Sequence, residues 1–341
     1  MKKSLMTLGV LFFFVLIVYG QEKRFAVYSA AFYNLENLFD TIHDAGKNDF
    51  EYLPDGKNKW NTMKYQAKLK NMADVLSQLA TDKLPMGPAI IGVSEIENRR
   101  VLEDVLKQPS LAKRGYEIVH YEGEDRRGVD CAFFYNPKLF ELEDSKLVPY
   151  VYINDTVHKT RGFLIASGKL AGEKMHFIVN HWPSRGAASP ARERAAEQVR
   201  AIKDSLLNLD SAAKIVIMGD MNDDPMDKSM AVVLGAKRKQ QDAGPTDLYN
   251  PWWDTLKKGY GTLMYRGKWN LFDQIVFTGN LLGKDRSTLK YFKHEIFRRD
   301  FMFQTEGKYK GYPKRTHAGG VWLNGYSDHL PTIIYLIKEV K

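Results

Sequence analysis

The chain has 341 residues, of which 44% are hydrophobic and 27% are charged, and its formal net charge at pH 7 is +9. This composition suffices to bury a substantial core and excludes an intrinsically disordered chain. The single cysteine excludes an intramolecular disulfide, and the basic charge favours a polyanionic partner, such as nucleic acid or an anionic lipid surface.

The first twenty residues differ from the rest of the chain. Lys2 and Lys3 precede an apolar run that ends at Gly20. This layout predicts a secretory signal peptide at residues 1–20, and therefore export to the periplasm or the extracellular space. The alternative is an uncleaved N-terminal anchor, although the run is short for a membrane span of ~20 residues.

The remaining chain, residues 25–341, contains no Pro/Gly/Ser-rich linker, low-complexity run or internal repeat, so we predict a single domain. Apolar, β-rich stretches predict strands at residues 24–34, 89–93, 129–135, 174–181, 215–218 and 270–277, and a last strand after Pro331. Apolar residues at three- and four-residue spacing predict a helix within residues 60–80. A second helix is predicted from Ser189, as N-cap, with Pro190 at the first helical position. This order predicts sheets covered by helices, and by itself it also allows a doubly wound sheet.

Two polar, Gly- and aromatic-rich segments, residues 40–59 and 298–321, are predicted to be loops that shape a binding face. The clusters at residues 249–255 and 298–303 have three interpretations: base stacking, contact with a lipid surface, or packing against the core. Cys131 lies in an apolar run, which indicates a buried small hydrophobic residue rather than a nucleophile.

Polar side chains collect where the apolar strands end. They are Asn34 and Glu36, Glu95 and Glu97, Asn180 and His181, Asp220 and Asn222, and Asp328 and His329 before the last strand. Asp273 lies inside a strand, where an unpaired carboxylate is costly, so it needs a partner such as histidine. Oxygen ligands with two histidines and no thiolates favour Mg²⁺, Mn²⁺ or Ca²⁺ over a structural zinc site. Each motif alone is compatible with a turn or a solvated residue, but together they predict phosphoester hydrolysis.

Seven motifs carry a resemblance to a known family. They are FYNLENLF (residues 32–39), IIGVSEIEN (90–98), RRGVDCAFFYNP (126–137), VNHWPSR (179–185), IVIMGDMND (215–223), LFDQIVF (271–277) and SDHLP (327–331). In this order they resemble the endonuclease/exonuclease/phosphatase superfamily, which has the DNase I-like fold, and NLENLFD and DRRGVD are most similar to its exported bacterial branch. The resemblance implies an α/β four-layer sandwich, with two face-to-face mixed sheets between helices and the active site at one edge.

The resemblance also implies roles for individual residues. The residues it places at a metal ion are Glu95, Asn34 and Asp328. The residues it places in catalysis are Asp220 and Asn222 at the attacking water, His329 paired with Asp273 at the scissile phosphate, and His181 as the second histidine. Family mechanisms differ over which group is acid and which is base, so these two labels stay open. Glu36 and Glu97 are further ligand candidates.

Other polar residues near the motifs have weaker predictions. Arg126, Arg127, Arg161 and Arg185 are candidates to grip phosphate, and each also has a structural interpretation. Asp130 is a candidate to orient His181. Asp223 and Asp224 are expected to act locally, with Asp224 capping the helix that follows.

The predicted function is that of an exported, Mg²⁺- or Mn²⁺-dependent phosphoesterase, with nucleic acid as the favoured substrate; Ca²⁺ remains an alternative. One alternative keeps the chemistry and changes the substrate to an inositol phosphate, a nucleotide or sphingomyelin, with transient membrane contact. A second alternative is a non-catalytic binding module on the same scaffold, which the complete set of polar residues argues against. No obligate protein partner is predicted.

Overall fold

Two six-stranded mixed sheets pack face to face, with helices on their outer faces, in the computed structural model, which describes residues 23–153, 155 and 157–340. This is the predicted four-layer sandwich, and its antiparallel pairs exclude a doubly wound sheet. The predicted signal peptide lies outside the described residues. In the part of the chain that is described, no helix has the length and apolar character to cross a membrane.

The strands in chain order are β1 (Arg24–Leu38), β2 (Ile90–Ile96), β3 (Glu117–His120), β4 (Asp130–Tyr135), β5 (Phe140–Val148), β6 (Phe163–Leu170), β7 (Glu173–His181), β8 (Lys214–Asp220), β9 (Leu248–Tyr249), β10 (Leu263–Tyr265), β11 (Lys268–Asn270), β12 (Asp273–Thr278), β13 (Lys290–Ile296), β14 (His317–Ala318), β15 (Val321–Trp322) and β16 (Thr332–Val340). The α-helices are α1 (Thr62–Leu76), α2 (Arg99–Leu106), α3 (Ser189–Leu209) and α4 (Trp253–Lys257). The first sheet has the order β13-β16-β1-β2-β4-β3, and the second has the order β5-β6-β7-β8-β12-β9. The central pairs β1–β2 and β7–β8 are parallel.

Three apolar clusters account for the layers. The cluster between the sheets joins Phe32 and Phe133 of the first sheet to Phe177 and Met218 of the second. The other face of the first sheet packs against α1 and α2, and that of the second against α3. Alternate residues of a strand therefore serve different clusters, as the period-2 geometry of a sheet requires.

The two sheets approach each other closely near the ends of β2 and β8. A Cβ atom on Gly92 would lie 2.7 Å from the Met218 sulfur and 3.0 Å from a Val179 methyl group, so a side chain here would have to displace these core residues. Glu95 follows three residues after Gly92, and Asp220 two residues after Met218. The close approach therefore brings the two strand ends, and the acidic residues on them, to the same edge of the sandwich.

Helix α3 differs slightly from its prediction. Ser189 is the first helical residue, and the extended residue before it is Ala188, which makes no side-chain capping bond. The predicted N-cap at Ser189 is therefore wrong by one position, since its hydroxyl accepts a bond from Arg192 instead. Cys131 is buried, as predicted.

Candidate active site

Asp220 lies at the centre of the site because its strand lies between two others that carry candidate residues. It is in register with His181 on β7 and with Asp273 on β12. Residues in register on neighbouring strands point to the same face of a sheet. Met218, two residues before Asp220, lies in the core between the sheets, so these three side chains point towards the first sheet.

Asn34, at the end of the core-facing part of β1, connects the two sheets. Its amide nitrogen donates to Asp220 Oδ2 at 3.0 Å and to Glu95 Oε1 at 3.2 Å. Its oxygen accepts a bond from the backbone N–H of Glu36 at 2.9 Å. In this arrangement Asn34 holds the two carboxylates together, and its own oxygen is already occupied by the backbone.

Glu95 is aimed by an irregular backbone. The register of β1–β2 shifts between Asn34 and Leu38, and that of β2–β4 shifts between Ser94 and Ile96. Glu95 has φ of +58°, which is uncommon for a residue with a side chain. Such irregularities re-aim side chains at functional sites, and here the backbone N–H of Asn37 donates to Glu95 Oε2 at 3.0 Å.

His329 is held by Asp273 and faces Asp220. Its Nδ1 lies 2.7 Å from Asp273 Oδ2, and its Nε2 lies 3.8 Å from Asp220 Oδ2. The predicted histidine partner of Asp273 is therefore confirmed. Burial opposes a charge on this imidazole, but Asp273 and Asp220 outweigh it and raise the pKa of His329 well above its usual value. These two carboxylates therefore favour the charged form of the buried ring.

His181 has the opposite electrostatic character. Burial, reinforced by Arg161 and Arg127, lowers its pKa well below the usual value. Its Nε2 lies 3.7 Å from Glu95 and 3.8 Å from Asp220. These surroundings disfavour the protonated ring, so its nitrogen lone pair is available to bind a metal cation.

The predicted contact between Asp130 and His181 is not made. Asp130 instead lies 3.1 Å from the Nε2 atom of His120, on the neighbouring strand, and it also accepts the backbone N–H of Gly123. Among the described residues, His181 Nδ1 has no hydrogen-bond partner.

The donor groups fit a divalent cation. Ligand atoms of Glu95, His181 and Asp220 all lie within 4.8 Å of one another. Two carboxylates and one imidazole are ligands that Mg²⁺ or Mn²⁺ accepts. Burial, and the nearby carboxylates of Asp273 and Glu95, raise the pKa of Asp220 to about 7 against the opposing effect of His329. A cation between Glu95 and Asp220 would relieve that repulsion.

The two other predicted metal ligands are placed differently. The Asn34 oxygen is occupied by the backbone, as described above, and Asp328 is not in the group that surrounds Glu95 among the described residues. Asp328 Oδ2 pairs with the Arg315 guanidinium at 2.7 Å, and its Oδ1 lies 3.9 Å from His329 Nε2. Asp328 therefore lies at the rim of the site, on the side of His329.

The four candidate phosphate-binding arginines separate into two pairs. Arg161 is buried and bound to Asp125 and to a backbone carbonyl. Arg185 is bound to Asp227 at 2.7 Å and stacks over the Phe272 ring at 4.4 Å. Both have structural partners. Arg126 and Arg127 are exposed, and although Arg127 Nε lies 3.5 Å from Asp125, its side chain is half open to solvent, so these two remain available to a substrate.

The further acidic candidates point away from the cation ligands. Glu36 is buried and accepts bonds from Thr316 and Arg315, and Glu97 accepts the backbone N–H of Asp40 at 2.7 Å. Asp224 does not cap a helix, because its Oδ1 accepts the backbone N–H of Leu271 at 2.7 Å. These carboxylates build the walls of the site.

Sequence reasoning missed Arg315. Its guanidinium bridges Glu36 and Asp328, and the side chain remains half exposed beside the site. It belongs to no motif, and the one signal was its position in the polar, aromatic segment 298–321. The sequence also contains two aromatic clusters that could contact bases or lipid. One of them, residues 249–255, packs inward, since Trp252 is fully buried.

Comparisons with known proteins agree with this geometry. A family model described as the endonuclease/exonuclease/phosphatase family matches residues 29–338. No curated protein matches the chain. Three solved structures share the fold. An endonuclease/exonuclease/phosphatase family protein from Bacteroides thetaiotaomicron has a TM-score of 0.58 at 15% identity, over 94% of this chain and 98% of that one.

The other two structures have named activities or ligands. A Bacteroides thetaiotaomicron mannosyl-6-phosphatase has a TM-score of 0.55 at 15% identity, over 91% of this chain and 99% of that one. D. rerio TDP2, complexed with a single-strand DNA product, has a TM-score of 0.53 at 14% identity, over 91% and 99%. At these identities the likeness shows the fold alone.

Proposed function

Because the chain belongs to the endonuclease/exonuclease/phosphatase family, it is a hydrolase of phosphoester bonds, and we propose that it is an exported nuclease. In the proposed reaction a water molecule attacks the phosphorus of a phosphodiester, the P–O bond to one ester oxygen breaks, and that oxygen leaves as a hydroxyl group after taking a proton from solvent. One observation carries the proposal: a single carboxylate oxygen, Asp220 Oδ2, is approached by Asn34 at 3.0 Å and by two histidines, His181 and His329, at 3.8 Å.

Glu95, Asp220 and His181 are the residues that would hold a Mg²⁺ or Mn²⁺ ion. When bound, such an ion offsets negative charge on the phosphate oxygens and on the leaving oxygen. Glu95 is positioned for this task by the backbone N–H of Asn37 and by the Asn34 amide.

Asp220 takes the proton from the attacking water. The backbone N–H of Asn222 donates to its Oδ1 at 2.9 Å, and Asn34 donates to its Oδ2. These two bonds fix the plane of the carboxylate, so a water beside it is held in one orientation before attack. Positioned general bases of this kind contribute rate factors of about 10² to 10⁴.

His329 stabilises the charge that develops on the phosphate oxygens. Asp273 and Asp220 favour the charged form of this buried ring, and Asp273 fixes the ring so that Nε2 points towards Asp220. A preoriented donor of this kind acts without reorganisation at the moment of reaction. His181 is neutral, which supports its assignment as a ligand or acceptor rather than as the acid for the leaving group.

The preference for a polynucleotide rests on charge. The net charge of +9, which stays positive without Lys2 and Lys3 of the predicted signal peptide, favours a polyanion. Arg126 and Arg127 are exposed, and Arg127 is near enough to His181 to lower its pKa. The alternative substrate, a phosphomonoester, has support of its own, because a mannosyl-6-phosphatase shares the fold over 91% of this chain. Direct assay separates the two.

The test uses the purified mature chain with Mg²⁺ or Mn²⁺ on plasmid DNA, single-stranded DNA, RNA, a panel of sugar, nucleotide and inositol phosphates, and sphingomyelin. We expect nicking of DNA or cleavage of RNA at rates well above those for the phosphomonoesters, and loss of both in the Asp220→Asn variant. Efficient hydrolysis of a phosphomonoester with intact polynucleotides would refute the nuclease assignment and support the alternative.

Export has an independent test. We expect the protein expressed with residues 1–341 in a Gram-negative host to be recovered outside the cytoplasm, with a mature N-terminus at Gln21 by mass spectrometry. Recovery of the full-length chain in the cytoplasm would contradict export.

A further inference from the structure

We propose that an exposed strip of tyrosine and basic side chains beside the active site binds the single-stranded part of a polynucleotide; this inference rests on the proposed nuclease function. The strip consists of Tyr265, Arg266 and Lys268 in the β10–β11 hairpin and of Lys308, Tyr309 and Lys310 in the loop that follows β13. None of these residues belongs to the catalytic set described above.

The hairpin starts at the active site. Leu263, its first residue, forms a β-bridge with His329. The preceding residue, Thr262, accepts the backbone N–H of Leu330 at 2.9 Å, and its hydroxyl accepts that of Asp273 at 3.3 Å. Tyr265 follows two residues after Leu263, about 7 Å along an extended strand. A chain bound along the hairpin therefore leads directly to the residues that act on phosphorus.

The two segments of the strip form one surface. The backbone N–H of Gly267, at the hairpin tip, donates to the Tyr312 hydroxyl at 2.6 Å. The Tyr312 ring lies edge-on to the Tyr309 ring, with centroids 5.4 Å apart. At the base of the hairpin, the Trp269 ring contacts the Phe303 ring. The tyrosines and lysines of both loops are thus held in a fixed relation to each other.

The strip combines exposed rings with cations that have no carboxylate partner. Tyr265 is 61% exposed and Tyr309 is 46% exposed. Arg266 lies over the Tyr265 ring at 5.2 Å, and Lys308 lies over the Tyr309 ring at 5.5 Å. Within the described residues, the four cations of the strip form no salt bridge, although most basic residues around the catalytic groups do.

Nearby carboxylates are few. Between residues 303 and 316 there is one, Glu306, against four basic residues, and between residues 260 and 270 there is none. Arg315 continues the positive charge as far as Asp328, at the rim of the site. The electrostatic field therefore favours a phosphate backbone along this side of the cleft.

Among polyanions, a single-stranded nucleic acid fits best. Exposed tyrosine rings stack on unpaired bases, whose faces are accessible, and cations between the rings contact the backbone. In a duplex those faces are covered by neighbouring base pairs. A lipid surface would favour an amphipathic helix with Trp, Phe or Leu gathered on one face, whereas the strip is a hairpin and a loop in which tyrosines alternate with positive charges.

The test measures binding without turnover, as fluorescence anisotropy of a labelled single-stranded oligonucleotide in EDTA. For Tyr265→Ala/Tyr309→Ala we expect binding at least about tenfold weaker, from the loss of two stacking rings. For Lys308→Gln/Lys310→Gln we expect the slope of log K against log salt to fall in magnitude by about 1.4, since each contact to a single strand contributes about 0.7. The matched controls are Phe292→Ala and Lys113→Gln/Lys138→Gln, which remove exposed residues elsewhere and should bind as wild type.

A second measurement distinguishes failure of the strip proposal from failure of the proposed function. Hydrolysis of bis(4-nitrophenyl) phosphate with Mn²⁺ needs the catalytic residues and not the strip, so both strip variants should stay within about twofold of wild type. If wild type cleaves neither this diester nor any polynucleotide, the proposed function fails, and the anisotropy measurement still tests binding by the strip. Oligonucleotide binding that is unchanged in both strip variants would overturn the proposal. Strip variants that bind the oligonucleotide as wild type does, but lose binding to phosphatidylserine vesicles, would also overturn it.

Discussion

Asp220 illustrates how a carboxylate is kept at the end of a buried strand. An isolated charge in such a place is costly, but each oxygen of Asp220 has a donor, the backbone N–H of Asn222 or the amide of Asn34. His329 supplies a positive charge at 3.8 Å. The negative charge of Asp220 is therefore balanced by groups that also take part in the proposed reaction. A substitution of Asp220 consequently tests that reaction.

We expect Asp220→Asn to reduce turnover by at least about 10³-fold while leaving the fold intact. The amide has nearly the same shape and keeps one acceptor oxygen, but it cannot take a proton from water. The measurement is kcat on the preferred substrate, together with far-UV circular dichroism. The control is Asp242→Asn, which changes an exposed carboxylate outside the catalytic set and should retain full activity. Near-normal turnover in Asp220→Asn would refute the role of Asp220 as the base.

At the level of elements, helix α1 supports the active-site edge through Lys68. This side chain is 1% exposed, and its ammonium group donates to the Thr316 hydroxyl at 2.8 Å and to the Tyr326 carbonyl at 2.6 Å. It also lies 3.8 Å from Glu36. The helix is thereby tied to the segment that carries Asp328 and His329.

Lys68→Met should lower the free energy of unfolding by about 3 kcal/mol, because it leaves buried acceptors and a buried carboxylate without this cation. Lys70→Met on the same helix is the control; its exposed pair with Asp74 should contribute less than about 1 kcal/mol. Urea denaturation measures both. Adding Glu36→Gln to Lys68→Met should restore part of the loss, and equal stability of the two single variants would contradict this role for Lys68.

Strand β13 carries a histidine whose protonation opposes folding. His294 lies between the Thr255 hydroxyl and the Tyr291 hydroxyl and packs edge-on against Trp252. Burial, with a smaller effect from Lys258, lowers the pKa of His294 to about 4. The unfolded state binds this proton near pH 6.5, so its contribution to stability is present above pH 6.5 and is lost as the pH falls towards 4.

We therefore expect the stability difference between wild type and His294→Gln to shift by about 1–2 kcal/mol between pH 7 and pH 5, with wild type losing more. Glutamine keeps hydrogen-bonding capacity and does not titrate in this range. Urea denaturation of both proteins at the two pH values gives the difference, in which the other titrating groups cancel. A difference that does not change with pH would show that His294 does not couple folding to protonation.

Over the whole molecule, the strands and the polar strand ends were predictable because both are local in sequence. Buried strands read as apolar runs, and their polar termini follow at once, as with Asp220. The directions of neighbouring side chains were not predictable in this way. Asn34 was predicted to lie at the metal ion and Glu36 was a further ligand candidate, but nothing in the sequence showed where either side chain points. Residues 36 and 37 adopt positive φ, and this bulge turns Glu36 towards Lys68 and away from Glu95.

Contacts between residues that are far apart in the sequence were harder still to predict. Asp130 was expected to meet His181, but the antiparallel pairing of β3 with β4 offers it His120, two strands from the site. Arg315 lies in a loop that no periodicity describes, and its place is fixed by residues from both ends of the chain, Glu36 and Asp328. Long-range pairing, rather than local preference, decides these contacts.

The whole fold should respond to the cation, because Glu95 belongs to the first sheet and Asp220 to the second. An ion bound by both stabilises only the folded state, by about 2.7 kcal/mol at a concentration 100 times its Kd. We expect Mg²⁺ or Mn²⁺ to raise the Tm by several degrees and EDTA to abolish activity until either ion is restored. In Glu95→Gln the shift in Tm should largely disappear, whereas in Glu141→Gln, at an exposed position, it should match wild type. Full activity in EDTA, or an equal shift in Glu95→Gln, would exclude a cation that bridges the two sheets at this site.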